Sequence, residues 1–128
     1  MRVPSLVVSA LFFGFAAMAS AADAQEAFPA AGHVYEAHFS ADTVFKLDFT
    51  QAGQMTYTSL AGPTRGKVET VHYTAVPVQP PAFMVYWREA DGTRVVHVEN
   101  FGRGHVWTNI ALPGGEFVHL DGELKQVR

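Results

Sequence analysis

Cysteine is absent from the 128 residues. That excludes a disulfide-stapled domain, a lipid-anchored lipoprotein and any thiolate metal site. Basic residues are also scarce, nine Lys+Arg against twelve Asp+Glu, for a formal net charge of −3. Such mild acidity counts against nucleic acid as a partner, which a basic stripe or patch recognises. Beyond residue 24 no apolar run is long enough to cross a bilayer, and no stretch combines a helical period with caps. There is no internal repeat and no low-complexity tract. The export signal is the one long apolar run. Arg2 supplies a positive start, Leu6 to Ala17 is uncharged, and small residues follow in the spacing a signal peptidase accepts, with cleavage after Ala21 or Ala24. Residues 1–24 are therefore expected to be a signal peptide and 25–128 a single exported domain, periplasmic or secreted, with no membrane attachment after cleavage.

What is present after the signal is a succession of short alternating runs separated by turn residues. His33–Phe39 places Tyr35, Ala37 and Phe39 on one face, and Thr43–Phe49 places Phe45, Leu47 and Phe49 opposite Val44, Lys46 and Asp48. Gln54–Leu60 is rich in strand formers. Lys67–Val76 sets Glu69, Val71 and Tyr73 against Val68, Thr70, His72 and Thr74. Pro77 and Pro80-Pro81 speak against a central strand between Val76 and Phe83. His105–Leu112 and Glu116–Leu120 read as the last two strands, with a connecting loop of two or three residues and a tail, Asp121–Arg128, that carries no clear pattern. Evenly spaced strands without helices predict an all-β fold, a single antiparallel up-and-down β-barrel of about eight strands, whose interior is filled or holds one small ligand.

The hairpin Phe83–Asn100 organises the site reading. Asp91-Gly92 is a two-residue turn signal, and taking it so pairs Glu89 with Arg94, Trp87 with Val96 and Val85 with Val98. One face is then Phe83, Val85, Trp87, Val96 and Val98. The other is Met84, Tyr86, Arg88, Val95, His97 and Glu99, and a slip of one residue would exchange the sets.

Phe83-Met-Val-Tyr-Trp-Arg-Glu-Ala-Asp-Gly-Thr, Val95-Val-His-Val-Glu-Asn, Val106-Trp-Thr-Asn-Ile and Leu120-Asp-Gly-Glu-Leu resemble the MoaF-like domain proteins. The resemblance runs from Gly32 to about Lys125. It implies a lipocalin-like barrel of the calycin group with an internal ligand site and no established reaction. The family's name reflects an association with molybdenum cofactor genes, but the sequence carries no molybdopterin motif, and no cofactor is expected. More distantly the chain is similar to phenolic acid decarboxylases. That similarity sets Ala37 and Phe39 where a tyrosine pair would stand and Tyr57-Thr58 where a Tyr-Arg pair would, with Glu69 near the glutamate; the catalytic set is missing.

The candidate ligand-binding residues are Phe45, Phe49, Phe83, Trp87 and Trp107 as walls, with Tyr86, Arg88, His97 and Glu99 as polar anchors. No catalytic residue and no metal ligand is assigned. The six histidines show no zinc spacing, and there is no Gly-x-Ser-x-Gly elbow. The leading expectation is an exported barrel that binds a small, partly apolar molecule. One alternative is an enzyme using His97 with Glu99, Tyr86 and Arg88. Another is a filled structural or protein-interaction barrel. Oligomeric state is not legible.

Overall fold

Alternation at a period of two becomes a buried and a wet face once strands pair. The computed structural model describes residues 27–128, so the expected signal peptide lies outside the described residues. The strands are β1 (Val34–Ser40), β2 (Thr43–Asp48), β3 (Gln54–Ser59), β4 (Val68–Gln79), β5 (Ala82–Arg88), β6 (Arg94–Asn100), β7 (His105–Ala111) and β8 (Phe117–Gln126). Each pairs antiparallel with the next, and β8 returns to β1. This is the expected eight-stranded up-and-down barrel, all-β among the described residues, with every strand paired on both sides over at least part of its length. Tyr35 and Ala37 of β1 and Leu47 of β2, with Phe49 just beyond it, are buried on the inner face, as the alternation predicts, and Met55 and Tyr57 of β3 join them there.

The central hairpin differs from expectation by one residue. Glu89 N–H donates to the Thr93 carbonyl at 2.8 Å and Gly92 N–H to the Glu89 carbonyl at 3.0 Å, so the loop is Ala90-Asp91-Gly92. Gly92 takes φ +92°, the left-handed position a three-residue loop requires. Asp91 fixes the turn by accepting the Thr93 N–H at 2.8 Å. Trp87 therefore faces Val95, Val85 faces His97 and Phe83 faces Glu99. The β5 face was read correctly, but every β6 residue is on the opposite side from that expected. His97 and Glu99 are inside, Val96 and Val98 outside, and Glu89 does not pair with Arg94.

Two strand limits also differ. β4 runs through Pro77 because its pairing with β3 ends at His72, so the last part of β4 bonds to β5 alone, with an irregularity between Pro77 and Gln79. The final loop has three residues, Pro113-Gly114-Gly115, closed by Leu112 N–H on the Glu116 carbonyl. β8 then continues through the tail to Gln126 and pairs with both β7 and β1. Gly122 lies within that strand because any Cβ there would overlap the His38 carbonyl across the seam.

One end of the barrel is packed with rings. Phe28, in the segment leading into β1, lies 5.3 Å from Phe49, 5.5 Å from Phe83, 5.5 Å from Phe101 and 5.7 Å from Tyr73, centroid to centroid. Tyr35 continues the cluster against Phe101 at 5.4 Å. Pairs at this spacing, edge to face, contribute ~0.5–1.5 kcal/mol each beyond burial.

Candidate functional site

The opposite end of the barrel is not filled. Above the aromatic floor a cavity of about 130 Å³ is walled by Phe39, Phe45, Leu47, Tyr57, Trp87, Val95, Ile110 and Leu120, with His97 and Thr108 among its lining. It continues into a mouth of about 210 Å³ that shares Phe45, Tyr57, Glu89, Val95 and Ile110 and is rimmed by Thr64, Lys67, Asp91, Thr93 and Leu112.

The β6 register puts His97 and Glu99 two residues apart on the inner face. The His97 ring, edge-on to Trp87 at 4.8 Å, also lies 6.2 Å from Phe39. Its Nδ1 is 3.0 Å from Glu99 Oε1, and the two side chains are 5% and 1% exposed. With Glu99 ionised, Nδ1 carries the proton that is shared, and Nε2 is the ring nitrogen not engaged by Glu99. Glu99 sits lower, toward the floor. Burial first, and then its negative charge, push the Tyr35 and Tyr73 hydroxyls above the ordinary tyrosine pKa.

At the mouth, Tyr57 donates its hydroxyl to Glu69 Oε2 at 2.7 Å, and the Ala90 N–H donates to Glu69 Oε1 at 2.6 Å. Burial, then that hydrogen bond and the nearby carboxylates, hold the Tyr57 hydroxyl protonated far above its usual range. Burial raises the Glu89 carboxyl, with Lys67, Trp87 and Tyr57 pulling the other way and Glu69 reinforcing the rise. Lys67 Nζ stands 5.8 Å from the Tyr57 ring centroid.

Among the described residues three buried side-chain atoms have no hydrogen-bond partner: Trp87 Nε1, Glu99 Oε2 and Thr108 Oγ1. All three belong to inward-facing residues. Buried polar groups in folded proteins are almost always partnered, so their coincidence here marks the interior as a place for a guest molecule or water.

Of the residues singled out in the sequence, Phe45, Trp87 and His97 line the cavity. Glu99 lies beneath it, and Phe49 and Phe83 belong to the floor. Trp107, Tyr86 and Arg88 do not. Trp107 is on the outer face, its ring tilted against His105 at 4.4 Å. Tyr86 and Arg88 share a shallow outer groove with His72, Thr74 and Arg94. The expected four-residue cluster is thus divided by the sheet, a direct result of the three-residue loop. Glu69, Glu89, Lys67 and Thr108 were not among the candidates. The signal for Glu69 was present, since it alternates in phase with Val71 and Tyr73. The remaining histidines lie at the surface or partly exposed, His38 on Glu36 at 2.8 Å and His105 on Asp121 at 2.9 Å. No group of three His, Cys, Asp or Glu among the described residues converges as metal ligands would.

A family profile described as MoaF-like matches residues 31–125. The chain belongs to the MoaF-like family. Among solved structures, this MoaF-like barrel is similar to a crystal structure from Burkholderia vietnamiensis provisionally described as a beta-lactamase. The two share 30% sequence identity over 77% of this chain and 96% of that one, with a TM-score of 0.74. No curated protein matches the chain.

Proposed function

We propose that this small barrel protein of the MoaF-like family binds one small, partly apolar molecule in its interior, and that it does so as an exported protein. The observation that carries the binding reading is the division of the barrel: a ring-packed floor beneath a cavity in which the Thr108 hydroxyl and the Trp87 N–H are buried without partners. A filled structural barrel would have neither. Its size suits a compact ligand, since an engineered apolar cavity of ~150 Å³ holds benzene. Export is supported by the sequence of residues 1–24. Native mass spectrometry of protein recovered gently from the periplasm or medium tests both parts. The expected result is a chain beginning after Ala21 or Ala24 that carries an adduct lost on denaturation. A bare chain that small aromatic alcohols also fail to stabilise against heat would overturn the binding reading, and an intact residue 1–24 segment would overturn export.

A second reading has one specific support. The His97–Glu99 pair leaves Nε2 not engaged by Glu99, on a ring that lines the cavity and is oriented by a carboxylate, the arrangement of a general base. The neighbour's description as a beta-lactamase does not extend this to a serine mechanism here, because no Ser-x-x-K occurs in the chain. Turnover of a candidate ligand that is abolished by His97→Gln while binding persists would establish it.

A further inference from the structure

The charge of the interior carries the ligand question further. Three carboxylates point inward, Glu69, Glu89 and Glu99, against one histidine and the rim ammonium of Lys67. Glu69 is already satisfied by Tyr57 and Ala90, and Glu99 holds His97. Glu89 differs from both. It lines the cavity and the mouth alike, and among the described residues no side chain closes an ion pair with it within 4 Å. Phe45, Tyr57 and Trp87 line the same cavity, and the faces of such rings attract cations. A cation is already stationed at this spot from outside, since Lys67 Nζ lies over the Tyr57 ring at 5.8 Å. Deeper in the cavity, the unpartnered Thr108 hydroxyl, 1% exposed, offers an acceptor to the same guest.

We infer that the barrel selects a small protonated amine, its ammonium held at the mouth by Glu89 over the Tyr57 ring and its apolar body inserted between Trp87, Leu47 and Ile110. This rests on the interior-binding reading and names the ligand class for it. A carboxylate or phosphate ligand would enter against three like charges. A metal ion would lack a converging donor set among the described residues.

The test compares three probes of one size on the full folded chain by isothermal titration calorimetry at pH 7: benzylamine, benzyl alcohol and benzoate. Benzylamine is expected to bind about tenfold or more tighter than benzyl alcohol, the equivalent of one favourable charge contact, with benzoate weakest. Glu89→Gln should erase the preference for the amine and leave benzyl alcohol nearly unchanged. Lys67→Met, which removes the resident cation from the rim, should strengthen benzylamine alone. Equal affinity of amine and alcohol overturns the inference while leaving interior binding intact, and tightest binding of benzoate does the same. Failure of all three probes to bind overturns the inference together with the reading beneath it.

Discussion

Replacing His97 with leucine strips the sole partner, among the described residues, from a carboxylate that is 1% exposed and already has one oxygen unpartnered. Breaking a buried pair in this way costs ~3–5 kcal/mol, because the remaining charge is left uncompensated. For a domain of this size each kcal/mol lowers Tm by ~4–8 °C, so the variant should melt well over 10 °C below the parent. Glu99→Leu should be milder, ~1–3 kcal/mol, because a histidine can remain neutral and loses one hydrogen bond. Replacing both residues with leucine should recover most of the stability or exceed the parent, since buried pairs often break even against apolar side chains of similar volume. Urea unfolding of the four proteins at pH 8, with m-values compared, reads the whole cycle. A His97→Leu cost below about 1 kcal/mol at pH 8, or single costs that simply add in the double variant, would refute a coupled buried pair.

Glu89→Gln should be more stable than the parent at pH 8, and the two should converge as pH falls toward 4. Burial raises the Glu89 carboxyl in the fold, so its unfavourable ionisation enters as pH rises; differential scanning fluorimetry across pH checks it. Asp48→Ala should lose no more than about 1 kcal/mol at pH 7, given its partial exposure to solvent. Hydrogen bonds from the Thr50 hydroxyl and backbone hold the Asp48 carboxyl low, so its contribution is present above the ordinary aspartate range and vanishes as pH falls through the depressed value. Gly122→Ala should cost ~1–3 kcal/mol or more, because the new methyl overlaps the His38 carbonyl at the β1–β8 seam; a urea midpoint equal to the parent's would refute the close approach.

Much of the barrel was legible because its strands are half wet: Phe45, Leu47 and Phe49, and Val71 with Tyr73, mark an inner face by alternation alone. What was not legible turned on single residues in turns. The dipeptide Asp-Gly occurs at 91–92 and again at 121–122. The first belongs to a three-residue loop and not a two-residue one, which turned His97 and Glu99 inward. The second is not a turn at all, its glycine being required by a backbone crossing that no local pattern announces. Pro77 misled for a similar reason. A proline excludes a strand only where both sides are paired, and that depends on where β3 stops. Glu69 and Glu89 were passed over because a carboxylate in a strand usually faces water. Only the tertiary arrangement shows that Tyr57 and the Ala90 N–H make an inner position tolerable for Glu69.

Phe28 belongs to no strand, yet it touches rings delivered by the end of β2, the middle of β4, the start of β5 and the residue after β6. A barrel of eight strands is by itself a tube with two openings. This side chain makes it a cup, and the bottom of the cup is supplied by the few residues that precede the first strand. Either expected cleavage site leaves that bottom attached. A cut only a few residues later would remove the ring on which Phe49, Tyr73, Phe83 and Phe101 converge, and leave the floor without its centre.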